Sequence, residues 1–183
     1  SAGAILGGNA GAILADVDYA ASAHVVLGCS AEPWAEFPLD VVSPVGPGSR
    51  SLVTLALTSR KGIAVEPGRE LVSAYFSDKF TRGHSDTEIV TAAKNAARHY
   101  SGSRLATETH FVARADHGFP LAAPGHYARI RSVNEMLPQN VAIAGDYIAQ
   151  ASVETAVRAG ENAALRIVEF LSNSGFLHTD QER

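Results

Sequence analysis

The sequence of 183 residues is 46% hydrophobic and 19% charged, so it can bury a core and does not have the composition of a disordered chain. Its net charge of -4 is spread along the chain without a basic block, which argues against nucleic acid and acidic membrane surfaces as partners. The lone cysteine excludes an internal disulfide, and no apolar run approaches the roughly 20 residues that span a bilayer, so we expect a cytoplasmic protein without a transmembrane segment.

The first 16 residues are small and apolar, and they lack the basic start of a signal peptide. Within them, AILGGNAGAILA places Gly8 and Gly11 at the interval of a dinucleotide-binding turn. Leu6 occupies the position of that motif's first glycine, and few residues precede Gly7 to form the strand that such a turn follows. We therefore interpret residues 1–16 as a remnant or linker that forms a small-residue helix or loop.

A β-rich block begins at Tyr19. The apolar runs AHVVLGC, LDVVS, SLVTLAL and ELVSAYFS alternate with clusters of glycine and proline, notably at 43–50 and 65–70. Short strands joined by tight turns are typical of antiparallel sheets. The pattern therefore predicts an antiparallel sheet in the first half of the chain.

A capped helix is predicted after this block. Ser85 is followed three residues later by Glu88, which is the spacing of a capping box. Apolar residues then recur at helical spacing from Ile89 to Tyr100. The segment SDTEIVTAAKNAARHY is therefore expected to be an amphipathic helix.

The remaining elements are a strand, an irregular passage, a second strand and a helix. TETHFVARA predicts the first strand, and the prolines of HGFPLAAPGHYARI predict the irregular passage, which ends in a short helical stretch. LPQNVAIAGD then predicts a turn and a small buried strand at 141–144. The final helix is expected from Ser152 to about Leu171, because its apolar residues keep to one face.

Between the last strand and the final helix, the residue types suit a ligand with a polar or anionic edge. Gly145 lets the backbone approach closely, and Asp146 accepts hydrogen bonds from hydroxyl groups. The first helical turn, at 153–156, offers unpaired N–H groups and a partial positive charge. The same residues are also compatible with an ordinary strand, loop and helix, in which Ser152 is the N-cap and Gly160 serves packing.

The stretch AGDYIAQASVETAVRAGENAA, at 144–164, resembles the C-terminal FAD motif of the flavin amine oxidase superfamily, which includes amine oxidases, protoporphyrinogen oxidase and phytoene-type desaturases. That motif is an apolar strand, Gly-Asp or Gly-Glu, a short loop and a helix start with small residues. The proline-rich stretch before it is similar too. The matching positions are Gly145, Asp146, Val153, Glu154, Ala156, Val157, Ala159, Gly160, Ala163 and Ala164, preceded by Pro120, Pro124, Gly125 and His126.

The resemblance extends in the order of elements over roughly residues 17–171, and it implies an α+β fold. It assigns residues 17–138 to an antiparallel-sheet substrate-binding domain with helices. It assigns residues 139–171 to the C-terminal strand and helix of an FAD-binding Rossmann-like domain. Residues 172–183 are then a tail.

The same resemblance implies FAD as the cofactor. By its residue-by-residue match, Asp146 contacts the ribityl or diphosphate part of FAD. The backbone N–H near Val153, at the helix N-terminus, faces the flavin C2 carbonyl and N1. Gly145, Ser152 and Ala156 complete the predicted cofactor-binding residues.

Several residues depart from the family pattern. Thr155 stands where glycine is usual, Ser152 stands where amine oxidases have an aromatic residue, and no lysine precedes Lys61 to act as the one those enzymes hold near the flavin. The missing aromatic residue and lysine argue against a conventional monoamine oxidase and leave the desaturase-like and protoporphyrinogen oxidase-like branches more open. Tyr147 is a candidate substrate-facing residue and equally a half-buried structural tyrosine. No catalytic residue is assigned, and the histidine spacing fits no standard metal motif.

The family binds the ADP part of FAD through an N-terminal Gly-x-Gly-x-x-Gly turn, which this sequence does not contain. The resemblance therefore implies the C-terminal portion or subunit of an FAD-dependent oxidoreductase, an oxidase or dehydrogenase of a small-molecule amine or C–C substrate. It implies activity only in a heteromer with an N-terminal Rossmann FAD-binding polypeptide, either a second subunit or a cleaved half. Two alternatives stay open: a non-catalytic binding or regulatory module derived from such an enzyme, and a piece of a longer protein.

Overall fold

The computed structural model describes residues 2–45, 51–102 and 105–176. The chain forms two compact units: a sheet unit, Ala20–Gly118, and a terminal unit, which combines Ser1–Tyr19 with Phe119–Arg183. These bounds group the first residues of the chain with its last third. The predicted domain boundaries at 16/17 and 138/139 follow the family assignment instead, and that assignment stays a prediction.

The sheet has five strands within the described residues, in the order β2-β3-β4-β1-β5. Pairing is antiparallel between β1 and β4, between β3 and β4 and between β2 and β3, which confirms the predicted α+β fold with an antiparallel sheet. The Gly/Pro cluster at 43–50 lies partly outside the described residues. The strands are β1 (Tyr19–Ser30), β2 (Val41–Val42), β3 (Leu52–Leu57), β4 (Arg69–Phe76) and β5 (Thr107–Pro120).

One face of this sheet forms the core of the sheet unit. Successive side chains of a strand point to opposite faces, and on β1 the fully buried Val25 and Leu27 lie opposite Ala74 and Val72 of β4. Helix α4 (Asp86–Ser101) covers this face, and it follows the short helix α3 (Asp78–Gly83). The buried residues of α4 are Ile89, Val90, Ala93 and Ala97.

The predicted capping box at the start of α4 is confirmed. The amide of Glu88 donates to Ser85 Oγ at 3.4 Å, and the amide of Ser85 donates to Glu88 Oε2 at 2.8 Å. The hydrogen bonds from the Ser85 backbone and hydroxyl lower the pKa of Glu88. Local sequence therefore sets where this helix begins.

The terminal unit is built from helices. Two of them, α1 (Ala2–Leu6) and α2 (Gly8–Ala15), form a close pair in which a Cβ at Gly3 would lie 2.5 Å from the carbonyl oxygen of Gly11. A helix, not a strand, thus precedes Gly7. This confirms the predicted small-residue helix, because a dinucleotide-binding turn would follow a strand. Helices α5 (His126–Met136) and α6 (Val153–Asn173) complete the unit, and its buried core contains Leu14, Ile130, Val133, Leu137 and Ile143.

The prediction of a strand at 141–144 is wrong, because this segment does not pair with a neighbouring strand among the residues that the structure describes. The segment joins no sheet within the described residues, and Ile143 is buried in the helical core instead. The apolar pattern indicates burial, but a strand also needs a neighbouring strand to which its backbone can hydrogen-bond. The predicted tail begins within the last turn of α6, and residues 177–183 lie outside the described residues. No helix in the described part of the chain is long and apolar enough to cross a membrane.

Candidate functional site

The candidate site begins at a tight turn before α6, where Gly145 has φ 147° and ψ 168°. A Cβ at this position would lie 2.5 Å from Cε1 of Tyr147, so the tyrosine ring occupies the space that a side chain would fill. The positive φ also favours glycine. The Tyr147 ring and the backbone angle therefore explain why glycine occupies position 145. Its contact with a ligand stays a prediction.

The turn continues as a single 3-10 turn, Asp146–Ile148, which is anchored to α5. His126, the first residue of α5, is 3% exposed, and its Nε2 donates to the carbonyl oxygen of Tyr147 at 2.7 Å. Gly125, the N-cap of α5, has φ 81°. The proline-rich stretch thus ends in a glycine turn that brings a buried imidazole to the residue after Asp146.

Two tyrosines share the neighbourhood of Asp146. Burial raises the pKa of the Tyr147 hydroxyl, and the nearby Tyr19 and Asp146 raise it further. Burial, followed by the charge of Asp146, also raises the pKa of Tyr19. Both phenols are therefore protonated at neutral pH and able to donate hydrogen bonds. Sequence reasoning missed Tyr19, because no local spacing connects the first strand to a turn near the other end of the chain.

The start of α6 confirms Ser152 as the N-cap. Its Oγ accepts the amide of Thr155 at 3.1 Å and donates to Thr155 Oγ1 at 3.0 Å. The threonine at the usual glycine position thus completes the cap. The amides of Val153 and Glu154 have no acceptor within the described residues, and Val153 is 83% exposed. The helix N-terminus is therefore open, with free donors and a partial positive charge.

The predicted contact with one edge of a flavin needs an acceptor for hydroxyl groups and donors for carbonyl groups. Asp146 is half-buried and makes no side-chain hydrogen bond within the described residues, so its carboxylate is available to a hydroxyl group. The 3-10 turn packs against α6, which brings the carboxylate and the free helical amides into one unit. A ribityl chain offers hydroxyl donors, and a flavin pyrimidine ring offers carbonyl acceptors. Ala156 lies in the same first turn and is half-buried.

Helix α6 has an apolar face that the described residues leave uncovered. Ala159 is the one buried residue among the 21 residues of this helix. Val157, Leu165 and Val168 are 54%, 60% and 50% exposed. An open groove of about 660 Å³ lies beside this face, lined by Asn140, Val141, Ala142, Ala163, Ala164, Ile167 and Val168.

Comparison with known proteins supports the fold. No family model and no curated protein matches the sequence. A crystal structure described as "Putative protoporphyrinogen oxidase from Exiguobacterium sp. 255-15" matches with a TM-score of 0.70 and 17% identity. The match covers 85% of this chain and 36% of that chain, so the present chain has the fold of only part of that structure.

Proposed function

We propose that this chain is the C-terminal portion or subunit of an FAD-dependent oxidoreductase and contributes its substrate domain and flavin-facing helix. The observation that carries this proposal is the open N-terminus of α6 directly after the Gly-Asp turn. It is supported by the fold shared with a structure whose given name is that of an oxidase. The substrate class is an amine or a C–C unit, as the family resemblance implies.

The chain's own residues would hold one edge of the flavin. Asp146 accepts a hydrogen bond from a ribityl hydroxyl, and the free amides of Val153 and Glu154 donate to the pyrimidine edge. When bound, the flavin supplies a two-electron acceptor for the substrate. The partial positive charge of the α6 N-terminus stabilises negative charge at that edge.

The proposed partner is an N-terminal Rossmann FAD-binding polypeptide. The amides and carbonyls at 142–144 make no hydrogen bond within the described residues, although Ile143 is buried. Unpaired backbone beside the buried Ile143 is costly where it is shielded from water, and a strand edge of a partner sheet would pair with it. The uncovered face of α6 lies beside this segment along the groove, so a single partner would cover both.

The test is to purify the chain alone and together with a Rossmann flavin-binding polypeptide, and to record the flavin absorbance of each. We expect flavin in the assembled protein and little in the isolated chain. Stoichiometric FAD on the isolated chain would contradict the need for a partner. Absence of flavin from a stable assembly would contradict the proposal itself.

The alternative is a non-catalytic binding or regulatory module derived from such an enzyme. The absence of an assigned catalytic residue keeps this alternative open. The variant Asp146→Ala separates the two functions, with Asp40→Ala in the sheet unit as a control. Unchanged flavin content and turnover in Asp146→Ala would favour the module, whereas a specific loss of flavin supports the enzyme.

A further inference from the structure

Within the described residues, few hydrogen bonds hold the Gly145 turn, although this turn carries Asp146, the candidate ligand of the cofactor. The segment before it makes no sheet ladder within the described residues. The hydrogen bond within the turn, from the amide of Ile148 to the carbonyl of Gly145, is long at 3.4 Å. A glycine at positive φ also gives the backbone more freedom than another residue would.

The hydrogen bond from His126 Nε2 to the carbonyl oxygen of Tyr147 is shorter than the bond within the turn, at 2.7 Å. It reaches the peptide unit between Tyr147 and Ile148, one residue beyond Asp146, and its donor is a buried side chain on a helix. A buried hydrogen bond between a helix and a turn restricts the turn's backbone, because breaking it leaves a buried polar atom unpaired. The imidazole therefore connects α5 to the conformation that presents the Asp146 carboxylate.

We propose that His126 is a positioning residue, which holds the Gly145–Tyr147 backbone so that Asp146 meets the ribityl hydroxyls of FAD. This inference rests on the proposed function. His126 bonds to a backbone carbonyl and makes no hydrogen bond to the Asp146 carboxylate. It acts on FAD only through Asp146.

Two substitutions separate the hydrogen bond from the volume of the side chain. In His126→Gln, the amide nitrogen stands about where Nε2 stands, so the bond to Tyr147 can be kept. In His126→Leu, an apolar side chain of comparable size fills the space but cannot donate. His110→Leu removes an exposed histidine of β5 in the sheet unit and serves as the control.

The first measurement is hydrogen exchange of the amides at 145–149 in the full chain without FAD. We expect faster exchange there in His126→Leu, and exchange close to wild type in His126→Gln and His110→Leu. Unchanged exchange in His126→Leu would overturn the anchoring of the turn. This result does not depend on any cofactor, so it stays informative even if the assembled protein binds no FAD.

The second measurement is the FAD dissociation constant of the chain assembled with the Rossmann polypeptide. We expect an increase of about tenfold in His126→Leu, rescue to within about threefold by His126→Gln, and no change in His110→Leu. In an Asp146→Ala background, His126→Leu should add less than about threefold, because contacting residues that act together are not additive. A full tenfold effect in that background would overturn action through Asp146. A wild-type assembly without FAD would instead contradict the proposed function.

Discussion

The guanidinium of Arg166 on α6 donates to the carbonyl oxygen of Leu137 at 3.0 Å, just past the end of α5. It also donates to the carbonyls of Asn134 and Pro138, at 3.1 and 3.2 Å. A helix C-terminus leaves its last carbonyls unpaired and carries partial negative charge. One side chain therefore satisfies the end of α5 and fixes α6 against it.

We expect Arg166→Ala to destabilise the chain by about 2 kcal/mol, because charged hydrogen bonds to partly buried carbonyls are lost. Urea unfolding measures the change in the free energy of unfolding. The matched control is Arg158→Ala on the same helix, whose ion pair with Glu154 is exposed. The control should change stability far less. Equal effects of the two substitutions would refute the capping role of Arg166.

Gly145→Ala should destabilise the chain by about 1 to 3 kcal/mol. The added methyl group would overlap the Tyr147 ring, and the backbone angle disfavours any side chain. Gly160→Ala is the control, because a Cβ there meets nothing within 4 Å and alanine is the better helix former. It should stabilise the isolated chain by up to about 1 kcal/mol. Thermal unfolding of both variants checks the opposite signs.

Sequence reasoning succeeded where the determining contacts are local. The capping box at Ser85 and the N-cap at Ser152 depend on residues three positions apart, and the alternation of β1 is visible within one strand. It failed where a partner is distant. The contact of His126 with Tyr147 joins two segments across a helix and a loop, and no spacing rule contains it.

The role of Gly145 shows a second kind of failure. A glycine before an aspartate suggested close approach of a ligand, but the ring that needs the space belongs to Tyr147, two residues later. The order of residues gives no sign of which way that ring turns. The segment 141–144 likewise has a strand's composition, while pairing depends on groups outside it.

The sheet unit should lose stability in acid partly through Asp78. The backbone amide of Ala21 donates to Asp78 Oδ1 at 2.5 Å, and with Arg82 it lowers the pKa of that carboxyl below its ordinary value of 3.8. A lowered folded-state pKa stabilises the fold above the unfolded value, and this contribution disappears as the pH falls through the lower folded value. Asp78→Asn should therefore make the loss of stability below about pH 4 shallower. The urea midpoints of wild type and Asp78→Asn at pH 7 and pH 3 measure this difference. An equal loss of stability in the two proteins would contradict the prediction.

The uncovered face of α6 predicts a variant that folds but does not assemble. Val157 is 54% exposed, so Val157→Asp removes little buried apolar surface from the isolated chain and should leave its unfolding midpoint nearly unchanged. In the assembled protein the same carboxylate would be buried against an apolar partner surface, which is strongly unfavourable. We therefore expect at least about tenfold weaker association with the Rossmann polypeptide, measured by isothermal titration calorimetry.

The matched control for this variant is Asn173→Asp, which adds the same charge to an exposed position on another side of α6. It should leave association within about threefold of wild type, because positions 157 and 173 lie about 160° apart around the helix. If both charges weaken association equally, the effect is a general one of charge on the helix, and the Val157 face is not the interface. If neither weakens it, the partner covers some other surface of this chain.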